Sequence, residues 1–172
     1  MKGTIVKCLE ELVITKFGKD KWEKALENAG FNKLTMFLPG ADIDDSQVMK
    51  AVKAVCKTLS ISLEQAAEAF GDFWVNVYSQ NYYYSFYKNK TAKSLLLSMD
   101  DIHVRMTKTM ENAKPPRFDY EWKNDRTLIM HYKSHRGLID FAIGLVKGVG
   151  KFYKENLKVT KLGPNMIQVV FQ

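Results

Sequence analysis

The sequence predicts an α+β fold, in which a helical N-terminal lobe is followed by an antiparallel sheet lobe with packed helices. Apolar residues recur at spacings of three and four from Ile5 onwards, which is the period of amphipathic helices. After Pro115-Pro116 the period changes to two, which is the period of strands. This order of elements is typical of the α+β class.

Four helices are predicted before residue 72. Gly18 and Gly30 each follow an apolar run with helical spacing, and both fit C-terminal stops of the first two helices. Ser62, with Gln65 three residues later, forms a capping box that predicts the start of the fourth helix.

An aromatic run from Phe73 to Tyr87 separates these helices from the next one. We expect a partly buried connection whose rings cover the core while their hydroxyl groups reach water. A stacking surface is the alternative. A long helix from about Thr91 to Met110 is predicted to follow.

Two hairpins are predicted in the second half of the chain. The first joins alternating runs on either side of Asn124-Asp125, and the second spans Leu157 to Phe171. Between them, apolar residues from Ile139 to Phe152 return to helical spacing. Two glycines of this helix mark either a packing contact or a bend, namely Gly144 and Gly148.

The composition favours a single domain over residues 1–172. The chain is 46% hydrophobic and 12% aromatic, which excludes a disordered protein. No apolar stretch reaches the roughly 18–20 residues that span a bilayer. The N-terminus lacks the apolar core of a secretory signal, so we expect a soluble, cytoplasmic protein with no membrane partner.

The charge limits the kinds of binding partner expected for the chain, and the cysteines indicate whether a disulfide is expected. The formal net charge is +7, but the lysines are spread along the chain, which favours a solvated basic surface or an acidic protein partner over nucleic acid. Cys8 and Cys56 fit apolar helix faces, and buried free thiols are expected rather than a disulfide. No zinc-binding spacing is present.

A Tyr-x-Ser-x-Arg pattern is formed by Tyr132, Ser134 and Arg136. It offers two hydroxyl groups and a guanidinium group, with no negative charge of its own, and so suits a carboxylate or a phosphate. Taken alone, the pattern favours an ordinary strand end with an exposed arginine.

His103 lies in an otherwise apolar stripe of the predicted long helix. By itself the stripe favours a core histidine bonded to a backbone carbonyl over a metal ligand. His131 and His135 are poorer ligand candidates, because the alternating pattern around them predicts a strand. The apolar residues at helical spacing from His103 are Met99, Met106 and Met110.

A ligand that needs one nitrogen donor on an apolar face and anchors for two carboxylates is haem. This combination resembles the H-NOX (haem nitric oxide/oxygen binding) family. Further segments carry the resemblance over nearly the whole chain, and their order and spacing make it specific: they are Met1–Val6, Asp42–Asp45, Met99–His103 and Pro115–Arg117.

The resemblance implies the cofactor and its contacts. Haem b would be held between the two lobes, with His103 as the proximal iron ligand. The hydroxyl and guanidinium groups of the Tyr132–Arg136 pattern would anchor the propionates. Ile5 and Pro115 match family residues that crowd the haem from opposite faces and hold it out of plane.

The resemblance also implies which gas is bound. Oxygen-binding members have a distal tyrosine where this chain has Phe141, whose ring cannot donate a hydrogen bond to bound oxygen. Leu9 and Trp74 match neighbouring distal positions. Such an apolar pocket favours nitric oxide, and carbon monoxide, over oxygen.

The family further implies a bacterial stand-alone sensor rather than an enzyme. Nitric oxide would bind the five-coordinate ferrous haem and break the bond between the iron and His103. The resulting conformational change would regulate a separate histidine kinase or cyclic-di-GMP enzyme. No activated nucleophile, P-loop or dinucleotide fingerprint is present.

Two alternatives stay open. An oxygen- or redox-sensing haem protein would use the indole N–H of Trp74 in place of the missing tyrosine. A haem-free basic and aromatic module that binds nucleic acid would use Lys88, Lys90 and Lys93 with the tyrosine cluster, although no recognised nucleic-acid motif accompanies them.

Overall fold

A computed structural model describes all residues from 1 to 172, and the chain divides into two compact units, Met1–Ala66 and Ala67–Gln172. The first unit is helical. Its elements are α1 (Thr4–Phe17), α2 (Lys19–Asn28), α3 (Asp45–Leu59) and the beginning of α4 (Leu63–Phe73). The four predicted helices are confirmed.

The second unit contains helices and strands. After α4 the chain forms a π-helical turn (Trp74–Tyr78), α5 (Ser79–Tyr83) and a 3-10 turn (Tyr84–Phe86). The remaining elements are α6 (Ala92–Leu97), α7 (Met99–Thr109), β1 (Arg117–Asn124), β2 (Thr127–Lys133), α8 (Ile139–Tyr153), β3 (Leu157–Lys161) and β4 (Met166–Phe171). The predicted α+β class and both hairpins are confirmed.

Local signals set the helix ends as predicted. Gly18 ends α1 with a φ of 92°, and its N–H donates to the Ile14 carbonyl oxygen at 3.0 Å. The Ser62 N–H donates to Gln65 Oε1 at 2.8 Å, and the Gln65 N–H donates to Ser62 Oγ at 3.1 Å. These reciprocal bonds form the capping box, because they satisfy amides that have no partner within the first helical turn.

The aromatic run after α4, predicted as a partly buried connection, is itself helical. Side chains stabilise the π-helical turn: the Val75 carbonyl oxygen accepts hydrogen bonds from Gln80 Nε2 at 2.6 Å and from Ser79 Oγ at 3.4 Å. Burial of the run is uneven as expected, since Tyr78 is buried whereas Tyr82 is 62% exposed.

The predicted long helix from Thr91 to Met110 is divided in two at Ser98. The Ser98 hydroxyl donates to the Leu95 carbonyl oxygen at 2.9 Å, and the Ser98 backbone has φ −88° and ψ −1°. A serine side chain that bonds a nearby carbonyl competes with the regular helical pattern. The chain therefore makes a turn between α6 and α7 where apolar spacing alone predicts continuity.

The four strands form one antiparallel sheet in the order β1-β2-β4-β3. Tyr132 lies opposite Phe118 in the register of β1 and β2. Alternate side chains of the strands belong to one buried cluster together with residues of α6, α7 and α8. The fully buried strand residues of this cluster include Leu128, Met130, Ile167 and Val169.

Two backbones in the second unit approach each other at glycines. A Cβ atom on Gly144 of α8 would lie 2.2 Å from the Ala67 carbonyl oxygen, and one on Gly148 would lie 2.6 Å from the Gly71 carbonyl oxygen. A Cβ on Gly71 would lie 2.0 Å from the Gly144 carbonyl carbon. The glycines of α8 therefore mark a packing contact, and not a bend.

Two further expectations concern the membrane and the thiols. None of the helices has both the length and the apolar character needed to cross a bilayer. Cys8 and Cys56 are both free, as predicted, but only Cys8 is buried and Cys56 is half-buried. Burial raises the pKa of the Cys8 thiol, so this side chain is un-ionised at neutral pH.

Replacing Gly144 by Ala is expected to lower the free energy of unfolding by about 1–3 kcal/mol, because the added methyl group overlaps the backbone at Ala67 and the helices must separate. Urea unfolding followed by circular dichroism measures the change. Gly163→Ala is the matched control, since its Cβ would meet only Met166 Cε at 3.9 Å. Equal stability of the two variants would contradict the prediction.

Candidate functional site

Helix α7 holds His103 against strand β1. Met99 and Met106, which share the predicted stripe, are partly buried against the core of the second unit. The His103 ring lies 5.9 Å from the Phe118 ring, measured between centroids. The stripe is therefore a packed face, and His103 is its titratable member.

The Nδ1 atom of His103 lies 2.7 Å from the Pro116 carbonyl oxygen. A carbonyl oxygen can only accept a hydrogen bond, so Nδ1 carries the proton and donates it. In the neutral ring the other nitrogen, Nε2, then has a free lone pair, and it makes no hydrogen bond within the chain. This is the arrangement of a metal-binding histidine whose second nitrogen is held by a backbone carbonyl.

The electrostatics keep this ring neutral. Burial lowers the pKa of His103 because it disfavours the charged imidazolium, while the hydrogen bond to Pro116 opposes this effect. The neutral ring is the form that can coordinate a metal. His103 is thus bonded to a backbone carbonyl, as a core histidine would be, and its other nitrogen is still available to a ligand.

A carboxylate joins the start of α7 to the start of β1. Asp100 accepts two hydrogen bonds from Arg117, from Nε at 2.7 Å and from the second guanidinium nitrogen at 2.6 Å. Its Oδ1 atom also accepts the Phe118 N–H at 2.8 Å. The Arg117 hydrogen bonds hold the pKa of Asp100 at about 2, below the ordinary 3.8. These contacts hold the two residues that follow Pro116, and so fix the position of the Pro116 carbonyl relative to His103.

The predicted anion-binding residues lie at and after the end of β2. Tyr132 is only 4% exposed, yet its hydroxyl group makes no hydrogen bond within the chain. Ser134 Oγ accepts the Arg136 N–H at 3.3 Å, and the Arg136 side chain donates to the Lys114 carbonyl oxygen at 2.5 Å. The Tyr132 hydroxyl is therefore a donor available to a ligand.

The predicted distal residues Trp74 and Phe141 are connected by a third ring. Phe70 stacks on Trp74 at 5.8 Å between centroids and meets Phe141 edge to face at 5.5 Å. Phe70 is buried, and sequence reasoning missed it, although it precedes Trp74 by one helical turn. The Trp74 indole N–H makes no hydrogen bond within the chain.

The other predicted contacts are distributed between the units. Ile5 and Leu9 lie on α1 in the first unit, Leu9 fully buried and Ile5 partly so. Pro115 lies in the second unit, next to the proline whose carbonyl binds His103. Asp100 and Pro116 are contacts that sequence reasoning did not assign, because neither pairing leaves a periodic signal in the chain.

The donor set fits haem. A neutral imidazole with a free nitrogen would suit the iron, and the phenolic hydroxyl and guanidinium of the Tyr132–Arg136 pattern would suit a propionate. Two of the three lysines proposed for a nucleic-acid site are engaged within the chain instead. Lys93 Nζ lies 4.3 Å from the Trp122 ring centroid, and Lys90 Nζ contacts Ser98 Oγ.

Solved structures with this architecture are H-NOX domains. An oxygen-binding H-NOX domain related to soluble guanylate cyclases, in its oxygen complex, is 24% identical and has a TM-score of 0.85, over 100% of this chain and 95% of that one. A variant H-NOX domain of T. tengcongensis is 23% identical with a TM-score of 0.85, over 100% of this chain and 98% of that one. The chain therefore has the H-NOX fold.

The family model HNOB, described as haem-NO-binding, matches residues 2–161. The chain belongs to this family, as its sequence indicated. Among full-length relatives, soluble guanylate cyclases gcy-34 and gcy-32 of Caenorhabditis elegans are 28% and 27% identical over 88% of this chain. The chain spans 23% of the length of each of these relatives.

Replacing Asp100 by Asn is expected to destabilise the protein, because the amide loses the charge-assisted pair with Arg117. The pKa of Asp100 is depressed in the folded state. The carboxylate therefore stabilises the fold fully at pH values above 3.8, and this stabilisation is lost as the pH falls towards about 2. Urea unfolding of both proteins across this range measures the difference. Asp101→Asn, at an exposed neighbour without an ion pair, is the control; an equal loss there would contradict the prediction.

Proposed function

We propose that this chain is a cytoplasmic, haem-based nitric oxide sensor of bacterial type that regulates a separate signalling protein. The single observation that supports it most is the hydrogen bond from His103 Nδ1 to the Pro116 carbonyl oxygen, which leaves Nε2 free on a packed apolar face. Membership of the haem-NO-binding family gives the ligand that this nitrogen would hold.

In this proposal bound haem b would supply an iron atom able to take up a diatomic gas. His103 provides the nitrogen and keeps its orientation through Pro116. Tyr132, Ser134 and Arg136 hold the propionates through hydroxyl and guanidinium donors. Ile5 and Pro115 are each proposed as contacts of the haem.

The choice of gas depends on whether the residues proposed to contact the bound gas include a hydrogen-bond donor. Phe141 and Phe70 have no polar atoms, and they pack against each other at 5.5 Å between centroids. Bound oxygen depends on a hydrogen-bond donor, because negative charge builds up on it, whereas nitric oxide and carbon monoxide do not. These apolar rings therefore favour nitric oxide, and Leu9, which is also proposed as a distal residue, has no donor either.

The signal would pass through α7 when His103 is released. The helix is fixed to β1 by the Asp100–Arg117 pair and by the Pro116 carbonyl, so a change at the ring acts on a defined joint of the second unit. A two-state joint of this kind can be read by a partner protein. A histidine kinase or a cyclic-di-GMP enzyme is the proposed partner.

A second candidate, an oxygen- or redox-sensing haem protein, is favoured by one observation. The Trp74 indole N–H makes no hydrogen bond within the chain and is joined to Phe141 through Phe70. It is thus a donor that could replace the tyrosine of oxygen-binding members. The spectra described next separate the two candidates.

Visible absorption spectra of the reduced protein under argon, in air and with a nitric oxide donor test the proposal. We expect a haem spectrum that changes with nitric oxide but not with air. His103→Gly should lose haem and regain it with added imidazole, whereas the control His131→Gly, at a half-buried strand position, should retain haem. A colourless wild-type protein would refute haem binding, and a stable spectral change in air would establish the second candidate.

Replacing Tyr132 by Phe is expected to separate haem retention from folding. The hydroxyl has no partner within the chain, so the haem-free protein should lose less than about 1 kcal/mol of unfolding free energy. Loss of one charge-assisted bond should weaken haem binding by about 1.5–3 kcal/mol, or roughly 10- to 150-fold. Haem transfer to an acceptor protein, together with urea unfolding, measures both quantities.

Tyr153→Phe is the matched control for this prediction. The Tyr153 hydroxyl donates to the Tyr87 carbonyl oxygen at 2.7 Å, so its removal should lower stability by about 0.5–1.5 kcal/mol and leave haem retention unchanged. If Tyr132→Phe destabilised the haem-free fold as Tyr153→Phe does, without weakening haem binding, the role assigned to Tyr132 would be wrong.

A further inference from the structure

Four oxidisable side chains of the aromatic run contact one another in a closed circuit. The ring centroids of Trp74 and Tyr78 are 5.4 Å apart, and those of Tyr78 and Tyr82 are 5.2 Å apart. Tyr83 completes the circuit, because its centroid lies 6.3 Å from that of Tyr82 and 6.4 Å from that of Trp74. All four distances fall within the roughly 4.5–7 Å that is typical of aromatic pairs. We call these four residues the aromatic relay.

The spacing of the aromatic residues in the sequence brings these rings together. Trp74, Tyr78 and Tyr82 are four residues apart, so on a helical chain they share one face and successive rings meet. Phe70 continues the same spacing in the other direction and stacks on Trp74 at 5.8 Å between centroids. A phenylalanine ring is much harder to oxidise than an indole or a phenol. The oxidisable part of the stack therefore begins at Trp74.

The other two tryptophans of the chain have no oxidisable ring beside them. Trp22 meets Phe37 at 6.5 Å between centroids, and Trp122 meets Phe171 at 6.0 Å. An electron passes rapidly between two side chains in contact only when both can be oxidised and reduced. Of the three tryptophans, Trp74 alone has such partners, and it has them on two sides.

Burial decreases along the relay towards one end. Tyr78 is buried, Trp74 and Tyr83 are half-buried, and Tyr82 is 62% exposed. Oxidation of a phenol to its neutral radical requires the loss of the phenolic proton, and the exposed Tyr82 side chain can release this proton to water. At neutral pH such a phenol is oxidised somewhat more easily than an indole. An oxidising equivalent that enters at Trp74 is therefore most stable at Tyr82.

We propose that the aromatic relay transfers an oxidising equivalent from Trp74 to the protein surface, and that Tyr82 is consequently a site of oxidative nitration. The oxidant is nitrogen dioxide, a one-electron oxidant that forms from nitric oxide and oxygen. The inference goes beyond gas sensing and does not require haem, because the relay consists of the chain's own rings. A colourless protein would refute haem binding and leave this inference unaffected.

Each step of this transfer moves one electron. Nitrogen dioxide takes an electron from the Trp74 indole and becomes nitrite, while the indole N–H proton passes to water. The Trp74 radical then regains an electron from Tyr82, through Tyr78 or Tyr83, and a proton from water, while Tyr82 loses its phenolic proton to water. A second nitrogen dioxide adds to the ring carbon beside the phenoxyl oxygen, and the hydrogen of that carbon moves to the oxygen. The products are nitrotyrosine, one nitrite ion and one proton.

Mass spectrometry of the purified protein after exposure to nitrogen dioxide tests the site of modification. Tyr84 is the internal control, since it is 56% exposed but contacts no other ring of the chain. Tyr82 should be nitrated more than Tyr84 in the wild type, and Trp74→Phe should abolish this excess. Trp122→Phe, which removes a 39% exposed tryptophan outside the relay, should retain it. The same excess in Trp74→Phe as in the wild type would overturn the proposal.

Pulse radiolysis tests the path of the electron directly. Azide radicals oxidise tryptophan faster than tyrosine at neutral pH, so the absorption of a tryptophanyl radical should convert to that of a tyrosyl radical, at a rate independent of protein concentration. Tyr78→Phe and Tyr83→Phe should each retain this conversion, because each leaves one path to Tyr82, and the double variant should lose it. Circular dichroism checks that the variants fold. A conversion rate that rises with protein concentration, or one that persists in the folded double variant, would show that the relay does not carry the electron.

Discussion

The hydrogen bond from His103 Nδ1 to the Pro116 carbonyl oxygen is the contact on which the rest of the candidate site depends. It selects the tautomer of the ring and directs the free Nε2 atom away from the backbone. It also gives the Nδ1–H group of a largely buried side chain its hydrogen-bond partner. Burial also favours the neutral ring, because it lowers the pKa of His103. A single backbone oxygen thus makes a core histidine available as a ligand.

The contacts around this bond show how the second unit supports it. The carboxylate of Asp100 joins α7 to β1 directly after the Pro116 carbonyl, through Arg117 and the Phe118 amide. On the other elements of the unit, Gly144 and Gly71 let the backbones of α8 and α4 approach closely. That approach brings Phe141 of α8 into contact with Phe70 of α4, and so assembles the apolar rings beside Trp74.

Sequence patterns predicted the elements that depend on neighbours in the chain. The Ser62–Gln65 capping box, the stop at Gly18, the alternation in both hairpins and the helix with Gly144 were all confirmed, because each rests on bonds or burial within a few residues. The helical aromatic run and the turn at Ser98 were not predicted. Both depend on side chains, those of Gln80 and Ser98, that bond nearby carbonyl groups and override the apolar spacing.

The sequence by itself determined the α+β class, the family and the residue types of the candidate site, His103 and the Tyr132–Arg136 pattern among them. Only the tertiary structure decided which nitrogen of His103 is free, that the Tyr132 hydroxyl has no partner within the chain, and that Asp100 holds the joint between α7 and β1. The sequence was sufficient for these because they depend on which residues are present and on their spacing along the chain. Pairings such as Asp100 with Arg117, or Phe70 with Phe141, join positions far apart in the chain, and the packing of helices on the sheet alone sets their distances.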